Sequence, residues 1–145
     1  MQILFDTSVL IAALVEQHPK HEAALPWLAK AQRDEFTFLT TNHVLAECFA
    51  VLTKLPISPT ISSANAKYLI EENVLKQAKI ITLNEKDYQA AINRVTNFNL
   101  PGGIIYDALI FQAAKKAKAE KLISFNQKDF AKLNAGEDMI KIISP

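Results

Sequence analysis

Five short apolar runs, at residues 2–5, 36–40, 78–83, 121–125 and 139–143, alternate with longer segments of helical periodicity, and this alternation confines the chain to few architectures. Runs such as Gln2-Ile3-Leu4-Phe5 have no wet face, so they predict strands covered on both sides. The segments between them predict the covering helices, over residues 8–16, 21–33, 42–55, 61–75, 84–95, 104–118 and 126–133. The expected fold is α/β, a three-layer α/β/α sandwich with a mainly parallel central sheet. A chain of 145 residues, half of them hydrophobic, supplies one substantial core, so residues 1–145 are read as a single domain.

Local signals fill in this frame. Thr7 or Ser8 is placed to cap the first helix, Asn42 the third, and Asn84 a later one with Asp87 as its capping-box partner. The glycine- and proline-bearing stretch from Asn97 to Gly103 is the clearest loop.

Asp6 stands out against this pattern. It is the only charged side chain between Met1 and Val15, and it separates the apolar runs Ile3-Leu4-Phe5 and Val9-Leu10-Ile11. A carboxylate buried there must be paired, hydrogen-bonded or held by a metal. Asp107 is a second such acid. At 100° per residue, Gln112, Lys115 and Lys116 share one polar wedge of the helix 104–118, while Asp107 falls among Ile110, Phe111 and Ala114. A favourable interaction with the helix dipole explains its place along the axis but not its direction.

Glu47 lies at the edge of an apolar stripe, close beyond the second strand, where an exposed glutamate and a site residue are both reasonable readings. Asp129 follows the fourth strand in Ser124-Phe125-Asn126-Gln127-Lys128-Asp129. It is explained equally by a cap shared with Asn126 and by a place in the crevice outside the strand ends, where open parallel sheets bind ligands. Three or four carboxylates converging there require a multivalent cation, and an all-oxygen donor set selects Mg²⁺ or Mn²⁺ over zinc. The matching chemistry is phosphodiester hydrolysis.

The net charge of +1 neither demands nor excludes a nucleic-acid partner. Cys48, the single cysteine, excludes an internal disulfide and reads as a small buried residue. The start of the chain does not fit a signal peptide, and no apolar run is long enough to span a membrane, so a cytoplasmic protein without a membrane partner is expected.

The run Phe5-Asp6-Thr7-Ser8-Val9-Leu10-Ile11, then Glu47, then Tyr106-Asp107-Ala108-Leu109, then Ser124 to Phe130, resembles the PIN-domain nucleases, and most of all the VapC-type toxins of toxin–antitoxin pairs. The resemblance spans nearly the whole chain. It implies a PIN-like sandwich, one or two Mg²⁺ or Mn²⁺ ions, cleavage of single-stranded RNA, a homodimer, and inhibition by a small antitoxin protein. It assigns Asp6, Glu47 and Asp107 to the acidic core, assisted by the hydroxyl of Thr7 or Ser8. The fourth acidic position holds Asn126 here, with Asp129 as the substitute.

Taken together, Asp6 and Asp107 are expected to hold the ion, Glu47 and Asp129 to complete the shell or position water, Ser124 or Thr7 to orient a ligand, and Lys128 to contact RNA. His18, His21 and His43 show no ligand spacing and read as surface or capping residues. A receiver-type phosphoacceptor domain and a PIN-like binding module without catalysis are the alternatives. The first calls for paired acids after the first strand, where Asp6 stands alone; the second draws on Asn126.

Overall fold

The computed structural model describes residues 1–135 and 140–145. Five strands, β1 (Gln2–Phe5), β2 (Thr37–Thr41), β3 (Lys79–Ile81), β4 (Lys121–Ile123) and β5 (Lys141–Ile143), form one sheet in the order β3-β2-β1-β4-β5, and every pairing is parallel. Met139, expected in the last strand, lies outside the described residues. The sheet covers itself as the apolar runs require: Ile3, Leu4 and Phe5 are at most 2% exposed, so β1 is buried on both faces. Phe5 packs against Phe38 on the neighbouring strand, with ring centroids 4.7 Å apart. Burial of each such side chain stabilises the fold by about 1.5–3 kcal/mol.

Helices α1 (Thr7–Leu14), α2 (His21–Gln32), α3 (Asn42–Lys54) and α4 (Ser63–Ile70) pack in succession, and α5 (Glu85–Asn97), α6 (Ile104–Lys116) and α7 (Gln127–Leu133) form a second linked group. The final turn of α4 widens into a π-helical segment, Glu71–Leu75. Helix α6 is apolar around most of its girth, and its polar wedge has a structural use: Lys116 pairs with Asp87 at 2.7 Å, and Gln112 donates to the same carboxylate. The Asn84–Asp87 capping box forms as expected. Among the described residues no helix is long and apolar enough to cross a membrane.

Three expected caps are replaced. Neither Thr7 nor Ser8 caps α1; both lie inside it, and Asp6 occupies the cap position. Asn42 is the first residue of α3 rather than its cap, because its side-chain oxygen accepts from the Leu83 amide and so ties the exit of β3 to the start of α3. Asn126 stands at the cap position of α7 without a capping side-chain bond. The amide of Asn126 instead donates to Ser124 Oγ at 2.8 Å.

The strand order decides one functional alternative. Receiver domains carry the order 2-1-3-4-5, with the first strand second from the edge. Here β1 is central and the chain reverses its direction of winding between β1 and β4. The receiver reading is therefore excluded by topology, and the crevice favoured for ligands opens beyond Phe5 and Ile123, between Asp6 and Ser124.

Candidate active site

Asp6 leaves the end of β1 in extended conformation, its amide donating to Ile123 O across the switch point. It is 3% exposed, yet it is solvated by the protein itself. Ser124 and Ser8 both donate to Oδ2, at 2.5 and 2.9 Å. Each hydroxyl in turn accepts a backbone amide from the segment after β4: Asn126 N reaches Ser124 and Phe125 N reaches Ser8. The carboxylate is thus fixed by a small network that stitches the two loops of the crevice together. Burial nevertheless raises the Asp6 pKa, opposed by the two serine hydroxyls and reinforced by the charge of Glu47.

Glu47, on α3, pairs with His43 one turn earlier, with Nε2 and Oε2 2.9 Å apart. The nearness of that imidazole is the chief reason the Glu47 pKa is lowered; burial opposes it, and the neighbouring Thr7 hydroxyl assists. Asp107, in the first turn of α6, has its pKa pushed up to about 7, first by burial and then by the charges of Asp6, Asp129 and Glu47. The helical-wheel direction of Asp107 is realised.

Asp6, Glu47 and Asp107 line a single cleft of about 390 Å³, together with Thr7, Ser8 and Asn126. Three elements that share no local sequence therefore deliver their acids to one place. Asp129 is not in the lining; it is partly exposed, lies 3.6 Å from Lys132, and influences the cleft through its charge on Asp107. Lys128 is exposed and also outside the lining.

The cleft contains residues that the sequence did not single out. Lys20 and His18 line it from the α1–α2 connection, with the Lys20 ammonium 4.5 Å from the centre of the Phe125 ring. No spacing in the sequence points to Lys20. His43 did carry a signal, since it stands four residues before Glu47 and therefore on the same helix face.

A metal is testable against these donors. Among the described residues no three acidic, imidazole or thiol side chains are gathered tightly enough to form a ready-made cluster. The donors available are nonetheless carboxylate and hydroxyl oxygens, and burial first, then neighbouring negative charge, raises the pKa values of Asp6 and Asp107. Such a set fits a hard divalent cation bound through one or two carboxylates and otherwise hydrated, as Mg²⁺ commonly is.

Residues 3–136 match the PIN domain family. The chain belongs to the PIN-domain family. Within that family it is similar to ribonuclease VapC27 of Mycobacterium tuberculosis, with 32% identity over 79% of this chain and 78% of the relative. The fold is that of a crystal structure of VapC20 from the same organism, described as a Sarcin-Ricin loop cleaving toxin: TM-score 0.73, 18% identity, covering 94% of this chain and 97% of that one. A toxin–antitoxin complex from Klebsiella pneumoniae has TM-score 0.60 at 20% identity, covering 95% and 94%. The PIN-like α/β sandwich expected from the sequence is therefore the fold of this chain.

Proposed function

We propose that this PIN-domain protein is a divalent-metal-dependent endoribonuclease, acting as the toxin of a toxin–antitoxin pair. One observation carries the catalytic reading: Asp6, Glu47 and Asp107, from three separate elements, face one cleft, in which burial, and after it the charges of Asp6, Asp129 and Glu47, push the Asp107 pKa up to about 7. Family membership and similarity to VapC27 support RNA as the substrate, and the toxin–antitoxin complex of similar fold supports a small antitoxin protein as partner.

In this reading Asp6 and Asp107 hold the ion, which is Mg²⁺ with Mn²⁺ as a substitute. When bound, such an ion increases the acidity of water and screens charge on the phosphate. The chain supplies the rest. Ser8 and Ser124 fix the Asp6 carboxylate against rotation, so its approach to the cleft is preorganised. Glu47, kept ionised by His43, orients the attacking water and receives its proton. Asn126 offers a neutral oxygen at the far wall, and Asp129 adds negative charge from outside it. Lys20, rather than Lys128, is the cation placed to meet a backbone phosphate. The protein works as a homodimer in the cytoplasm.

Incubation of purified protein with single-stranded RNA and Mn²⁺ tests the reading; Asp6→Asn should lower cleavage by orders of magnitude, and equal rates would refute it. The non-catalytic alternative draws on Asn126, the uncharged residue at the fourth acidic position. It predicts no Mn²⁺ binding that depends on Asp107, which calorimetry measures directly.

A further inference from the structure

The His43 ring lies parallel to the ring of Tyr106, at an interplanar angle of 2° and a centroid separation of 5.4 Å. The other end of His43 lies 2.9 Å from Glu47, whose carboxylate lines the acidic cleft, so the imidazole sits between the cleft and the tyrosine ring. Tyr106 stands in the first turn of α6, immediately before Asp107, and is 54% exposed. Its neighbours Ala108, Leu109, Ile110 and Phe111 are buried, so the core-facing duties of this helix fall to them and not to Tyr106. The result is a flat, exposed aromatic ring, stacked on one face by His43 and adjacent in sequence to Asp107 of the acidic cleft.

We propose that Tyr106, braced by His43, is the platform on which a nucleobase next to the scissile phosphate stacks. Tyr106 is then a substrate-positioning residue that selects single-stranded over paired RNA. This rests on the ribonuclease reading and goes beyond it by naming where the base sits. A base in a duplex has both faces occupied, whereas an unpaired base presents a face to an aromatic side chain. Stacking is tolerant of base identity because every base has a π face, and a ring already held in place loses little freedom when the base arrives.

The test is steady-state cleavage, with Mn²⁺, of a single-stranded oligoribonucleotide in which one abasic nucleotide is walked through the sequence. In the parent protein, one abasic position beside the cut should raise KM by about 5- to 150-fold, the range of one base–aromatic stack. Tyr106→Ala should raise KM on the intact oligonucleotide by a similar factor and lose sensitivity to the abasic position, while Tyr106→Phe retains both. An unchanged KM in Tyr106→Ala, or an undiminished abasic effect, overturns the platform while leaving the nuclease intact. No cleavage by the parent protein on any oligonucleotide overturns the ribonuclease reading instead. A change of particle mass in Tyr106→Ala, by light scattering, with cleavage by each remaining subunit unaltered, marks the ring as a subunit contact and also overturns the proposal.

Discussion

Asp107→Asn is expected to stabilise the metal-free protein while abolishing its metal-dependent function. The Asp107 carboxyl has an ordinary pKa of 3.8 and a folded-state pKa of about 7, so between these values the folded chain binds more protons than the unfolded one. Stability therefore falls as pH rises through that window and levels off above it. At about 1.4 kcal/mol per pH unit the full interval corresponds to roughly 4 kcal/mol. Asp107 is only partly buried, and solvent screening reduces the expected penalty to about 1–2 kcal/mol. Asparagine keeps the shape and removes the charge. Urea unfolding with a chelator present, followed by the fluorescence of Trp27, should give the variant a midpoint higher by about 0.5–1 M at pH 8. The gain should vanish near pH 4, where the parent carboxyl is protonated in the folded state and carries no charge to bury. Addition of Mn²⁺ should reverse the order, because only the parent is stabilised by binding. A variant that is equally or less stable than the parent at both pH values would refute the claim that burial and neighbouring negative charge make the ionised Asp107 costly to the fold.

Three further outcomes are expected. Lys20→Ala should weaken RNA binding and reduce the salt slope of log affinity by about one, whereas Lys128→Ala should leave both within error in a fluorescence-anisotropy titration. Ser124→Ala removes a donor to Asp6 and the acceptor for the Asn126 amide; a loss of about 1–3 kcal/mol in urea unfolding and weaker Mn²⁺ binding by calorimetry should follow, and an unperturbed variant would contradict the network. Cys48, buried on α3 with its thiol pKa pushed up by burial and then by the charges of Glu47 and Asp6, should resist iodoacetamide in the native protein and react fully in urea, as mass spectrometry would show.

What could be read from the sequence was governed by how local each determinant is. Asp6 and Asp107 were legible because burial of a charge among apolar neighbours is visible in a strand pattern or a helical wheel. The fold class was legible because strands covered on both faces leave few arrangements. The caps at Asn42 and Asn126 failed for different reasons. Each asparagine has the chemistry of a cap, but Leu83, distant in sequence, claims the side-chain oxygen of Asn42, whereas the Asp129 amide that a cap at Asn126 would take donates to the Asn126 backbone oxygen. Lys20 was beyond reach because its position against Phe125 depends on how the α1–α2 connection folds back over the β4–α7 loop. His43 was within reach, since the i, i+4 relation to Glu47 needs only a helix, whereas its spacing from the other histidines carries no signal.

The bond between Ser124 and Asp6 joins residues 118 positions apart, and β1 gains its second neighbour in the sheet only when β4 lies beside it. During synthesis the acid is therefore made well before this hydroxyl partner. At roughly 5–20 residues per second, a nascent chain spends several seconds with Asp6 present and the crevice unbuilt. A messenger broken before the codon for Ser124 would yield a polypeptide holding Asp6, Glu47 and Asp107 with only Ser8 of the two hydroxyls that fix the first of them. For a protein that cuts RNA, the sequence distance between Asp6 and Ser124 thus delays completion of the site until the second of them has been translated.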